Sequence, residues 1–258
     1  MTRPMSQSSS PSPEPPLTHR LTGRTRLGAR LGSFHFSAVE LLITLVILLI
    51  SAPFVAEFKQ GEVIDAVLIT ALLVASVLAV GGSRRTFLRM SLLAGPALLF
   101  KWLHQLRPDL VSPGWFLAVA LCFCSLVVWE LLRFALRATR VNNEVLCASI
   151  AAYLMLGLIF AFGYMLTANL NPQAFAFTVP GAGKPVMNGQ TAFYYSYVTL
   201  STVGYGDIVP VSPLARTMSM TEAITGLLYT AVLIARLVAL QTSNAVAAPD
   251  RNVDSDET

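Results

Sequence analysis

The sequence predicts an all-α membrane protein of six transmembrane helices, with one short re-entrant helix and loop between the fifth and sixth. Three observations carry this. First, 54% of the 258 residues are hydrophobic and only 12% are charged, against about 25% charged in ordinary soluble domains. Second, the apolar residues fall in six runs close to the length that crosses a bilayer. Third, one further apolar, aromatic run of about ten residues is too short to cross, because a hydrocarbon core of about 30 Å needs about 20 helical residues.

The mean hydropathy of +0.62 agrees with this class. A chain with so little charge cannot cover its own surface in water. The net charge of +4 is therefore read loop by loop, as topology. No basic stretch interleaved with aromatics suggests nucleic acid, so the bilayer is the expected partner.

The predicted segments are Ser37 to Ala56, Val63 to Val80, Thr86 to Trp102, Trp115 to Phe134, Val145 to Leu166 and Leu214 to Leu240. The third is short and holds Gly95-Pro96 at its middle, where the missing backbone N–H predicts a kink. Basic residues test the count. With the N-terminus inside, Arg20, Arg24, Arg26 and Arg30 are cytoplasmic, as are Arg84, Arg85 and Arg89, then Arg133, Arg137 and Arg140. Outer loops hold Lys59, Lys101, Arg107, Lys184 and Arg216, and Arg236 lies near the inner end of segment six. The bias follows the positive-inside rule at each alternation and puts both termini in the cytoplasm. A plasma membrane, the inner membrane of a bacterium, is the expected location.

Residues 1–35 are Pro/Ser-rich, then Arg-rich, and are expected to be a disordered cytoplasmic N-terminus; an Arg- and Ser-rich transit peptide is the alternative. Residues 36–140 form a four-helix domain, and residues 241–258 a polar, disordered cytoplasmic tail. Cys122, Cys124 and Cys147 lie within or beside apolar runs. With no partner His/Cys pair, they imply neither a disulfide framework nor a metal site. His19, His35 and His104 form no metal or relay pattern.

Between segments five and six, Asn171 to Gln190 is rich in Pro and Gly and reads as an outer turret. Thr191 to Ser201 is the short aromatic run, expected to dip in as a helix and return. Irregular backbone at membrane depth is tolerated where protein or water surrounds it, so the residues after Ser201 should line a pathway. They are Thr202-Val203-Gly204-Tyr205-Gly206-Asp207.

A cation crossing here must exchange its water oxygens for others. Backbone carbonyls serve if successive residues aim them at one axis. An ordinary strand alternates them, but glycines at every second position accept left-handed angles cheaply. Gly204 and Gly206 supply these, Val203 and Tyr205 turn their side chains away from the axis, and Thr202 adds a hydroxyl at the inner end. Asp207 sits at the mouth, where a ring of carboxylates concentrates cations. One chain gives a quarter of each oxygen ring, so a closed C4 tetramer is required. The short helix ahead directs the negative end of its dipole toward the ion path.

This hexapeptide resembles the signature of the potassium-channel family. The order of elements over residues 145–240 is similar to that family's pore domain: outer helix, turret, pore helix, selectivity-filter loop, inner helix. The resemblance implies K⁺ as permeant ion, with no cofactor and no enzymatic activity, and a homotetramer. It implies that Tyr194 and Tyr195 cuff the filter and that Gly226 is a gating hinge. There is one departure. Bacterial relatives with a Glu in the pore helix pair it with the mouth Asp, but that position is Val198 here, so Asp207 must find another partner, Tyr195 or solvent.

Glu222 lies deep in segment six and has two readings, a hydrogen bond to a neighbouring helix or a cavity or gating carboxylate. Glu40, Asp65, Arg216 and Arg236 lie near segment ends and read as interfacial. Voltage sensing needs charges within the field, yet Trp115 to Val128 carries none, and Arg133, Arg137 and Arg140 read as inner anchors. Conduction is thus expected to be weakly voltage-dependent. About eighteen residues come after Leu240, too few for a nucleotide-binding domain. Competing classes are a non-conducting pore-fold sensor or regulatory subunit, and an ion-coupled transporter, which would show internal repeats and paired broken helices. A membrane enzyme lacks a nucleophile–base pair or metal cluster.

Overall fold

Helix boundaries follow local chemistry more closely than hydropathy does. The computed structural model describes residues 37–55, 61–80, 84–107, 113–138, 142–178 and 186–246. The expectations for residues 1–35 and for the end of the tail lie outside these residues. In chain order the elements are α1 (Ser37–Val55), α2 (Gly61–Val80), α3 (Arg84–Leu106), α4 (Pro113–Arg137), α5 (Asn143–Leu170), β1 (Phe175–Phe177), α6 (Gly189–Leu200), β2 (Ile208–Pro210) and α7 (Pro213–Val246).

α5, α6 and α7 each open on a recognisable cap. The Asn142 side chain accepts from Val145 N at 2.9 Å to start α5, satisfying one of the orphan amides of the first turn. A reciprocal box does the same for α6. Asn188 Oδ1 accepts from Thr191 N at 2.9 Å, and Thr191 Oγ1 accepts from Asn188 N at 2.8 Å. This is the capping-box geometry with Thr in the returning position. α7 begins with Pro213 in the first turn, which needs no amide partner, while Ser212 Oγ accepts from Ala215 N at 3.2 Å.

Three described helices are long and apolar enough to cross a membrane: α4 over Gly114–Arg137, α5 over its whole length, and α7 over Pro213–Ala239. α1 and α2 hold shorter apolar stretches, Ala38–Ser51 and Ala66–Val80. α3 is helical throughout but carries Arg84, Arg85, Arg89 and Lys101. It continues through Gly95-Pro96 as one helix, so that step does not interrupt it.

Two boundaries depart from expectation. The fold is not purely helical, because β1 pairs antiparallel with β2, with Ala176 opposite Val209. Strands of three residues are too short to show a period in sequence. α7 also extends to Val246, six residues into the stretch read as a disordered tail, since the first helix breaker beyond Leu240 is Pro249.

α5 is the axle. It packs against α1, α4, α6 and α7, and just over half of its membrane-length window, 56%, is buried. Small residues on it admit close neighbours. A Cβ at Gly157 would lie 2.7 Å from the Tyr197 ring of α6. One apolar core joins α1 to α5 through Leu41, Leu45, Met90, Phe123, Val127 and Met155. A second surrounds Tyr164, Phe175, Tyr195, Ile208 and Ala215, where α5, β1, α6, β2 and α7 meet. α7 is the opposite case, with 11% of its window buried and Ile224, Leu227, Leu228 and Val232 exposed on the single chain.

Gly226 is where α7 approaches α6. A Cβ there would collide with the Leu200 carbonyl oxygen and lie 3.0 Å from Leu200 Cδ1. Alanine would gain about 1 kcal/mol in helix propensity but must displace a backbone atom. Overpacking of that kind costs about 1–3 kcal/mol. Gly226→Ala is therefore expected to destabilise the detergent-purified protein by about 1 kcal/mol net, read as a lowered unfolding midpoint. A raised midpoint would contradict this packing.

Candidate functional site

α6 has 12 residues, about 18 Å of helix, roughly half of a bilayer core. Beyond Leu200 the chain turns back on itself. Ser201 N donates to Tyr197 O at 3.0 Å, and Ser201 Oγ donates to the same carbonyl at 2.6 Å. The Val198 carbonyl then accepts from both Val203 N at 3.0 Å and Gly204 N at 3.3 Å. Val198 thus holds the beginning of the segment through its backbone.

From there every second residue is left-handed, with φ of 61° at Thr202, 57° at Gly204 and 78° at Gly206. Gly204 and Gly206 are the positions the sequence marked. Thr202 was missed as a left-handed residue. A β-branched residue is rare at positive φ, and such strain persists only where the surroundings impose it. Among the described residues these are the only positive φ values outside the helices and strands. Val203 and Tyr205 are 53% and 71% exposed on the single chain.

The far end is held by a residue the sequence did not single out. Thr178 comes directly after β1, and its N donates to Asp207 O at 2.8 Å. Its hydroxyl lies 2.8 Å from Gly206 O and 3.1 Å from Asp207 O. The β1–β2 pairing brings the two together across 28 residues of chain. Nothing in the turret's composition marks Thr178.

The two tyrosines separate. Tyr194 stacks on Tyr205, with ring centroids 6.5 Å apart and 8° between planes, and its phenol lies within electrostatic reach of the Asp207 carboxylate. Tyr195 faces the other way, packed edge-on against Tyr164 and Phe175, with its hydroxyl 2.7 Å from Ser219 Oγ. Asp207 therefore pairs with Tyr194 and not Tyr195. Adjacent helical residues differ by about 100° in direction, so Tyr194, one turn before Val198, faces Tyr205 and Asp207 while Tyr195 faces α5 and α7. Asp207 Oδ1 also accepts from Ile208 N at 3.0 Å.

Behind α6, Glu222 of α7 is fully buried. Tyr164 of α5 donates to Glu222 Oε2 at 2.5 Å, and Ser196 of α6 contacts Glu222 Oε1. Full burial within one chain means that Glu222 does not line an open cavity; it is a hydrogen-bonding node joining three helices. Tyr164, Ser196 and Ser219, which complete the node, are ordinary residues of apolar helices, and their spacing in sequence does not distinguish them. Gly226 lies one turn beyond Glu222 and has the close-approach role described above. No cluster of three or more potential metal ligands occurs among the described residues.

Residues 151–242 match the family described as "Ion channel". Over 37 residues, 14% of this chain, the sequence is 60% identical to the voltage-gated potassium channel Kch of Escherichia coli, covering 9% of that protein. Over 82 residues, 31% of this chain, it is 33% identical to the inward rectifier potassium channel Kirbac3.1 of Paramagnetospirillum magnetotacticum, covering 24% of it. Over 47 residues, 18% of this chain, it is 45% identical to two-pore potassium channel 4 of Arabidopsis thaliana, covering 16% of it. The matched stretches thus span less than a quarter of each of these relatives. No solved structure matches the chain. The chain is an integral membrane protein whose residues 151–242 match the ion-channel family model and are similar, in part, to these potassium channels.

Proposed function

We propose that the chain is one subunit of a homotetrameric channel that conducts K⁺ passively across a bacterial inner membrane. In this reading α1 to α5 and α7 span the bilayer, both termini are cytoplasmic, and α6 is a re-entrant pore helix. The observation that carries it is the left-handed φ at 202, 204 and 206, immediately after a helix too short to span. Four copies would set the carbonyls of Thr202, Val203, Gly204 and Tyr205, with the Thr202 hydroxyl, as stacked oxygen rings that replace the water of K⁺. The Gly206 carbonyl is engaged by Thr178; Gly206 serves the backbone turn, and the Asp207 carboxylates form the cation-attracting mouth. Tyr194 and Val198 support the loop from α6, and Tyr195 supports it from behind.

Self-association has support in what the single chain leaves uncovered. The α7 face of Ile224, Leu227, Leu228 and Val232, together with Val203 and Tyr205, is exposed, and a neighbouring copy would cover part of it. α1 to α4 serve as a scaffold. The charge-free stretch from Trp115 to Val128 in α4 gives a field nothing to move.

Purified protein in liposomes is expected to pass K⁺ in preference to Na⁺ and to be blocked by barium. Gly204→Ala should abolish selectivity, because alanine at left-handed angles costs about 1–2 kcal/mol in each subunit although the space itself is open. A tetramer that passes no ion under any condition would instead favour a non-conducting sensor. Removing the outer brace in Thr178→Val should lower the K⁺/Na⁺ flux ratio about fivefold, the equivalent of one hydrogen bond of about 1 kcal/mol. Thr178→Ser, which keeps the hydroxyl, should restore it. Current in planar bilayers should vary nearly linearly with voltage, and a steep sigmoidal activation curve would overturn the scaffold role of α1 to α4.

A further inference from the structure

We infer that Glu222 carries a proton in the folded channel and, as a hydrogen-bond donor to Ser196, is the positioning residue that seats α6 behind the ion path. The functional part of this inference rests on the channel reading above; the protonation part does not.

Four hydroxyls meet Glu222 or each other, and they have only four hydrogens to share: Ser196 and Tyr195 on α6, Tyr164 on α5 and Ser219 on α7. Ser196 Oγ lies 2.6 Å from the Gly157 carbonyl, which can only accept. Ser219 Oγ lies 2.9 Å from the Ala215 carbonyl, which likewise can only accept. Those two contacts use the Ser196 and Ser219 protons. The Tyr195 proton then serves the 2.7 Å contact to Ser219 Oγ, and the Tyr164 proton serves the 2.5 Å contact to Glu222 Oε2. All four are spent, and the contact between Ser196 Oγ and Glu222 Oε1 still needs one. Glu222 is the group in the cluster that can supply it. An ionised Glu222 would have to take the Ser196 proton, leaving Ser196 Oγ and Gly157 O facing each other at 2.6 Å with no hydrogen between them.

The surroundings agree. The carboxyl is fully buried, and the groups that reach it are hydroxyls. The titratable groups facing it are Tyr153 and Tyr164 from α5 and Tyr195 and Tyr197 from α6. β2 contributes Ile208, Val209 and Pro210, none of which titrates. A buried carboxylate without a cation costs several kcal/mol, whereas a neutral acid with both oxygens hydrogen-bonded does not incur that cost.

The consequence for conduction runs through α6. Ser196 lies two residues before Val198, whose carbonyl anchors Val203 and Gly204. Loss of the Glu222 proton at alkaline pH removes the bond that ties α7 to α6 at Ser196, and the anchor of the left-handed segment loosens with it.

Glu222→Gln tests this, because an amide reproduces the neutral acid: its NH₂ donates to Ser196 and its carbonyl accepts from Tyr164. In liposomes the wild type should lose K⁺/Na⁺ selectivity, about tenfold, as pH is raised from neutral to strongly alkaline, while Glu222→Gln keeps it. The positioning role is overturned if Glu222→Gln is unselective at neutral pH or shares the wild-type pH profile. The infrared difference spectrum of wild type minus Glu222→Gln in detergent should contain a protonated-carboxyl carbonyl band at neutral pH that fades as pH rises. A carboxylate signature at neutral pH overturns the protonation. If the wild type conducts at no pH, the channel reading fails, and the infrared band still decides whether Glu222 holds the proton.

Discussion

A backbone that alternates between left- and right-handed residues has no hydrogen-bond ladder of its own. Helices and strands satisfy their amides internally; the segment from Thr202 to Gly206, left-handed at every second residue, cannot. Its shape must therefore be imposed from outside, and much of the surrounding structure does so. At one end the Val198 carbonyl gathers two amides. At the other, Thr178 engages the carbonyls of Gly206 and Asp207. Between them, Tyr194 stacks on Tyr205. The left-handed Thr202 is the clearest sign that the environment decides, since its own β-branched side chain disfavours that conformation.

Each of these braces rests on something further back. Thr178 is in place because β1 pairs with β2, and β1 is seated by Phe175 against Tyr164 and Tyr195. Val198 is in place because α6 is seated between α5 and α7. That seat combines close backbone approach at Gly157 and Gly226 with hydroxyl bonds: Tyr197 donates to Leu154 O at 2.6 Å, Tyr229 donates to Ser149 O at 2.6 Å, and Ser196 and Tyr164 meet Glu222. Small residues let helices approach in a membrane, and polar side chains then hold them. The apolar cores supply area, while the hydroxyls fix rotation and depth, which apolar contact alone leaves free.

The N-terminal helices reach this assembly by two routes. One is the broad packing of α4 and α1 on α5. The other is a single side chain, Arg236 in the C-terminal half of α7, whose Nη2 donates to Leu136 O at 2.6 Å and Ala138 O at 3.0 Å. These are orphan carbonyls at the C-terminal end of α4, where the helix dipole favours a cation. A residue that sequence position marks as an interfacial anchor thereby ties the end of α4 to the helix that lines the proposed pore.

Much of this protein was legible in its sequence wherever the governing physics is local. Apolar run length marked the helices, with ends good to a few residues, because hydrocarbon thickness sets the length. Gly204 and Gly206 announced a left-handed backbone because glycine adopts it at little cost. The hexapeptide from Thr202 to Asp207 marked the irregular segment for the same reason: backbone shape is written in the residues that adopt it. Tertiary structure alone decided what depends on neighbours distant in the chain. It made Thr202 left-handed without a glycine, chose Tyr194 over Tyr195 for Asp207 through the rotation of α6, and brought Thr178 to the loop's outer end through three-residue strands with no readable period. It also buried Glu222 among hydroxyls from α5 and α6, because a side chain's hydrogen-bond partners are set by where three helices cross and not by spacing along any one of them.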